Sequence, residues 1–252
     1  KMKKKLLALA LALTMALSLA ACGGDSSNAD STGETSTEEN SGASGTAFKV
    51  GVIGPMTGGA AIYGTCVANS AQIAVDEINA LGGDIQFDLM VEDDVNDAET
   101  SVNAYNALMD DGMQILVGTV TTTPALNVVP QAYEDRVFTI TPSASGDDVI
   151  ENNDNVFQIC FTDSNQGSRS AQYINEHFPD AKIAIIYKND DQYSIGIRDN
   201  FKAEADARGM SVVYEGTFTE ASQTDFNVQL AAAQSAGADL LFLPIYYTPA
   251  SV

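Results

Sequence analysis

At 252 residues, 45% of them hydrophobic, the chain is long enough for more than one domain and for a sizeable core. Its 34 acidic residues against 12 basic ones give a formal net charge of -22. So acidic a surface repels phosphate backbones and anionic headgroups, which argues against nucleic acid as a partner and against electrostatic attachment to a membrane. Four of the basic residues, Lys1, Lys3, Lys4 and Lys5, stand at the very start, so the remainder is more acidic still.

Residues 1–21 have a basic start, an apolar run from Leu6 to about Leu19 and small residues ahead of a cysteine, the pattern of a secretory signal. The run is shorter than the roughly 20 residues a membrane span needs. Leu19-Ala20-Ala21-Cys22 resembles the lipobox of bacterial lipoproteins, which implies cleavage before Cys22 and a lipid on its sulfur. Residues 22–46 are Gly, Ser, Thr, Asn and acidic, with almost nothing apolar, so they cannot repay their ordering entropy and read as a flexible tether.

The folded part begins near Phe48. FKVGVIGPM reads as a strand running into a turn, and a helix follows from about Thr65 to Ala80, with Val67, Ala71, Ala74, Val75 and Ile78 spaced to face a sheet. Gly82-Gly83 stops it. A strand from Ile85 to Val91, a helix capped at Asn96 or Asp97 and running to about Asp110, and a strand over Gln114 to Gly118 come next. A helix from about Pro124 to Asp135 leads to a strand at Val137 to Thr141, and a further strand is expected over Val156 to Phe161. The pattern then restarts. Helices near 165–177, 194–208 and 226–237 alternate with strands at 182–187, 211–214 and 239–245. Two successive α/β series imply two similar lobes joined near residues 155–166.

The stretch Ile115 to Ser145 organises this pattern. Thr121, Thr122 and Thr123 follow one strand and Ser143 and Ser145 follow the next, so two neighbouring strand ends present hydroxyls where parallel sheets bind ligands. No base stands beside them to make a nucleophile, which suits holding rather than reacting. The glycine-rich loop Gly54 to Gly59 lacks the spacing of a phosphate cradle, and Tyr63 beside it reads either as a pocket wall or as packing. Asp93, Asp94 and Asp97 carry oxygen donors that suit a hard cation, but helix capping is the favoured reading and no metal is expected. The lone His177 is the only candidate base for a hydrolase or reductase, and its place at a helix end suits solvent exposure better. Cys66 and Cys160 are expected to be unpaired, partly buried thiols.

The order GVIGPMTGGAAIYG, AVDEINALGG, EDDVND, LVGTVTTTPAL, ITPSAS and DDQYSIG resembles the extracellular substrate-binding proteins of branched-chain amino-acid ABC importers. These are type I periplasmic binding proteins of the leucine-binding family. The resemblance runs from Phe48 to the last residue and implies an α/β fold of two Rossmann-like lobes with parallel sheets. Lobe one spans 47–160 and lobe two spans 161–252, the second being cut short. It implies no cofactor and no enzyme activity, an amino acid as ligand, permease subunits as partners, and a membrane contact only through the lipid on Cys22. Residue by residue, Thr122 would receive the ligand carboxylate, Ser143 would contribute through its backbone and Ser145 through its hydroxyl. Tyr63 would border the side-chain pocket, and Tyr193 and Tyr246 would come from the second lobe. Ser145 stands where threonine is more usual and Ser194 where glycine is, and the family's acidic partner for the ammonium falls beyond residue 252. An extracellular ligand-sensing domain of the same fold is the alternative.

Overall fold

The computed structural model describes residues 46–252. The signal reading, Cys22 and nearly all of the tether lie outside the described residues. β1 (Thr46–Gly54) leads through a glycine-rich turn to α1 (Ala61–Ala80), and β2 (Ile85–Asp93) to α2 (Ala98–Asp110). β3 (Ile115–Gly118), α3 (Thr122–Glu134), β4 (Phe138–Thr141) and β5 (Val156–Gln158) complete a five-stranded sheet of order β2-β1-β3-β4-β5. All four pairings are parallel, and Val52 of β1 pairs with Val91 on one side and Val117 on the other. A second sheet, of order β7-β6-β8, is built from β6 (Lys182–Lys188), β7 (Ser211–Phe218) and β8 (Leu240–Phe242). Its helices are α4 (Asp163–His177), α5 (Gln192–Arg208) and α6 (Asn227–Ser235), with a short α7 (Tyr247–Ala250) at the end.

Parallel strands need cover on both faces. In the first sheet Ile53 and Leu116 pack with Tyr105 and Leu108 of α2 and Val128 of α3. In the second, Ile183 and Ile185 meet Phe201 of α5 and Ala171 and Ile174 of α4, and Phe201 stacks on Phe242 at 3.9 Å. Gly167 allows α4 and α5 to touch, since a Cβ there would lie 2.4 Å from the Ile197 carbonyl.

Several boundaries differ from the sequence expectation for local reasons. α1 begins four residues early, on Ala60 with no side-chain cap, so Tyr63 sits in its first turn. Only Gly64 and Val75 of this helix are buried, and Ala74 and Ile78 are exposed, because α1 lies beside the edge strand β2 and not over the sheet centre. α3 begins two residues early, at Thr122; Pro124 still fits because first-turn N–H groups have no helical partner. β5 stops at Gln158, and the apolar residues Ile159 and Phe161 run on as an exposed connector into α4. Cys66 is exposed, not partly buried, and Cys160 is half-buried; both are free thiols.

The acidic turn after β2 is held by backbone N–H groups of its own and of the turn after β1. Asp97 caps α2 by accepting from the Thr100 N–H at 2.8 Å, and Asp93 accepts from the N–H groups of Met56 and Val95 at 2.8 and 2.9 Å. Among the described residues no cluster of three or more His, Cys, Asp or Glu side chains is arranged to hold a metal. Asp94 is buried; one carboxylate oxygen accepts from the Asn96 N–H at 2.8 Å and the other has no partner. Burial pushes its pKa up to about 7, partly offset by the Asn96 bond, with Asp93 and Asp97 adding repulsion. Between the unfolded value near 4 and about 7 the folded chain holds a proton that the unfolded chain has lost, so this group makes stability fall as pH rises. Asp94→Asn is expected to raise the melting temperature at pH 8 and leave it nearly unchanged at pH 4, measured by thermal denaturation.

Candidate functional site

The chain leaves β1 toward β2 on one side and then toward β3 on the other, so the strand order reverses beside β1. The crevice outside those carboxyl ends is where a parallel α/β sheet accepts a ligand. Here the tips of both sheets meet. A cavity of about 210 Å³ opens between them. From the first sheet come Val120 and Thr121 after β3, Ser143 and Ser145 after β4, and Tyr63 from α1. Cys160 and Phe161 of the connector, Gln166 of α4, Tyr193 of α5 and Tyr246 after β8 complete the wall.

Hydroxyls lace the tips of β3 and β4 together. Thr141 donates to the Thr119 carbonyl at 2.7 Å and accepts from the Ala144 N–H at 3.0 Å. Ser143 donates to the Val120 carbonyl at 2.5 Å. The Thr122 hydroxyl accepts from the N–H groups of Ser145 and Gly146 at 3.2 and 3.3 Å. Thr122 is buried at the start of α3 and is not among the residues that line this cavity, and its hydroxyl proton is not given to any protein acceptor among the described residues. The neighbouring Thr121 borders the cavity; it is buried, and its hydroxyl has no protein partner. Thr121 was visible in the sequence only as one of three consecutive threonines.

Helices α3, α4 and α5 all start at the cleft. Asp163, in the first turn of α4, accepts from the Ser145 hydroxyl at 2.7 Å. Burial pushes its pKa up to about 7; the Ser145 bond holds it down and Asp147 and Asp191 push it further. Asp191 caps α5, accepting from the Ser194 N–H, and takes the Thr123 hydroxyl of the first sheet's α3 at 3.1 Å. The same Thr123 oxygen accepts from the Gln192 N–H at 3.0 Å. Thr248 of α7 donates across the cleft to the Gly59 carbonyl at 2.8 Å. Burial raises the pKa of Asp191, with Lys188 nearby opposing it. Lys188 itself is buried and pairs with Glu220 at 2.6 Å. None of Asp163, Asp191 or Lys188 stood out in the sequence, where each is one of many charges beside a turn.

The aromatic residues expected from the resemblance gather at one end. Tyr193 stacks on Tyr246 with ring centroids 4.7 Å apart, and Tyr63 lies 5.4 Å from Tyr246. Burial raises the pKa of Tyr193 and Tyr246, with nearby carboxylates adding to it, so both stay protonated and able to donate. The cavity therefore offers hydroxyl donors, ring faces and an amide, and no carboxylate or amine is among the residues that line it. His177 lies apart, exposed in the last turn of α4 with its ring 4.3 Å from Tyr173.

A family model described as periplasmic binding protein matches residues 47–251. The Leu/Ile/Val-binding protein BraC3 of Rhizobium johnstonii is 33% identical over 201 residues, covering 79% of this chain and 54% of that protein. A leucine-, isoleucine-, valine-, threonine- and alanine-binding protein of Pseudomonas aeruginosa is 30% identical over 208 residues, with the same coverage of 79% and 54%. The crystal structure of the branched-chain amino acid transporter substrate binding protein LivJ of Streptococcus pneumoniae, in complex with isoleucine, superposes with a TM-score of 0.72 at 29% identity. That match covers 80% of this chain and 58% of the other. The chain spans about half the length of the curated relatives it matches.

Proposed function

The chain belongs to the periplasmic binding protein family, and from that premise we propose that it is the solute-capturing component of an ABC importer, with an amino acid of branched-chain size as its solute. The observation that carries this reading is the cavity of about 210 Å³ whose wall is drawn from the tips of both sheets. The printed names of the relatives support an amino acid as the solute. A zwitterion needs donors for its carboxylate, because an unpaired buried charge costs several kcal/mol. The N-terminal end of the 13-residue α3, which borders the cavity through Thr121, supplies them, at the end of the helix where negative charge is favoured. Tyr63, Tyr193 and Tyr246 enclose the rest of the solute. Ser143 and Ser145 shape its floor. Thr122 holds the β4 loop through its hydroxyl oxygen, and its proton, which no protein group accepts, is the donor to the ligand carboxylate that the resemblance implies.

Capture works by closure of one lobe, 47–160, on the other, 161–252, as in hinge-closing binding proteins. The Thr123, Asp191 and Gln192 bonds and the Thr248 to Gly59 bond span the cleft and support such closure. The captured solute is handed to permease subunits and is not transformed. Cleavage before Cys22 and a lipid on its sulfur tether the protein to the outer face of the membrane through residues 22–46.

Calorimetry of the mature protein against a panel of the common amino acids is expected to give a Kd in the micromolar range or tighter for at least one of them. A flat response to the whole panel overturns the reading. Thr123→Val removes two bonds that exist only when the lobes meet, one of them to a carboxylate. Its ligand affinity is expected to fall by about 5- to 30-fold, on the order of 1–2 kcal/mol. An unchanged affinity would show that these bonds do not bias closure. Cys22→Ser is expected to move the protein from the membrane fraction to the soluble fraction of the producing cells, and its retention on the membrane would exclude a lipid on that sulfur.

A further inference from the structure

The second sheet's share of the cavity wall stands beyond the end of its own ladder. β8 pairs with β6 only from Ile183 and Leu240 to Ile185 and Phe242. β6 runs three residues further, to Lys188, with β7 beside it, while the chain after Phe242 continues through Pro244 to Tyr246 outside any strand. Lys188 and Pro244 are both buried, so the backbone groups at these two tips need partners that the ladder no longer supplies.

Ser194, in the first turn of α5, supplies them. Its hydroxyl accepts from the Lys188 N–H at 2.8 Å and donates to the Pro244 carbonyl at 2.6 Å. Its own N–H donates to Asp191, the cap of α5, at 3.3 Å. The residue is 0% exposed, so bulk water cannot take over either bond. Among the described residues this is the only side-chain hydrogen bond that joins residues 186–195 to residues 243–247. Two rings of the cavity wall are carried by the segments so joined. Tyr193 directly precedes Ser194, and Tyr246 follows Pro244 by two residues. Both line the cavity, and their rings stack at 4.7 Å with 14° between their planes. Ser194 itself is not among the lining residues.

Resting on the capture reading above, we propose that Ser194 is a positioning residue for capture: its hydroxyl ties the tip of β6 to the tip of β8, holds the Tyr193 and Tyr246 rings stacked before the solute enters, and so sets how tightly the cavity binds. The chain carries serine here where glycine is more usual. Alanine at this position would leave the Lys188 N–H and the Pro244 carbonyl buried and unpaired, a state that the tips relieve by moving apart. The solute would then have to order two aromatic side chains as it binds, at a cost in affinity.

The test compares the full chain with Ser194→Ala and Ser194→Gly, by near-ultraviolet circular dichroism without solute and by calorimetry with the common amino acids as probes. Nine tyrosines and no tryptophan leave the near-ultraviolet spectrum free of indole. The part of it lost in Tyr246→Leu marks the stacked pair. Ser194→Ala is expected to lose that same part while keeping its far-ultraviolet spectrum, and to bind the preferred amino acid about tenfold more weakly. Ser194→Gly vacates about the ~30 Å³ of one water, which can bridge the two backbone groups, so it is expected to fall between alanine and the wild type. It carries the test if the alanine variant does not fold. A tyrosine signal unchanged in the folded variants, or an unchanged affinity, overturns the proposal and leaves the capture reading intact. A lowered melting temperature with signal and affinity both preserved assigns Ser194 to stability alone and overturns it equally. Binding of no probe by the wild type removes the capture reading and the proposal together.

Discussion

The hydroxyl lacing between β3 and β4 is the constraint on which the site depends. Where two parallel strands end side by side, their backbone groups leave the sheet and need new partners in a place too buried for water. Thr141, Ser143 and Thr122 supply those partners for Thr119, Val120, Ser145 and Gly146. The loops are thereby fixed by bonds that belong to the protein alone.

Charge is arranged around this rigid floor, not in it. Parallel topology brings the N-terminal ends of α3, α4 and α5 to the cleft, and each such end carries partial positive charge. Asp163 and Asp191 sit at the starts of α4 and α5 and take hydroxyls from the first sheet, Asp163 from Ser145 and Asp191 from Thr123. α3 has no acidic residue in its first turn, and its capping residue makes no side-chain bond. Of these three helix starts, it alone carries neither an acidic first-turn residue nor a side-chain cap. The placement is economical in another respect: Asp191 caps its own helix and grips the opposite lobe with the same side chain.

Much of the architecture was legible from residue order. Apolar runs such as KIAIIY, followed by helix-spaced segments and glycine stops, mark parallel βα units because buried strands are uniformly apolar. The cap at Asp97 is read from a short acidic side chain ahead of an amphipathic run. The errors have local causes. Ile159 and Phe161 suggested a longer β5 because hydrophobicity marks exposed connectors as readily as strands. Ala74 and Ile78 suggested a buried helix face, but periodicity reports which residues share a face and not how much of a sheet lies beneath it. Gln166 carried no signal, since a lone glutamine in a polar helix resembles any other.

The run of Thr121, Thr122 and Thr123 marks the division between the two kinds of information. Residue order by itself determined that hydroxyls cluster at the tip of β3, because the composition of an apolar strand followed by small polar residues is a local property. Only the tertiary structure decided where each lies: Thr121 borders the cavity, Thr122 binds the β4 loop and Thr123 crosses to Asp191. Successive side chains at a helix start diverge by about 100°. A shift of one or two residues in where α3 begins therefore reassigns all three, and that start is set by how the helix packs on the first sheet and beside α2 and α5.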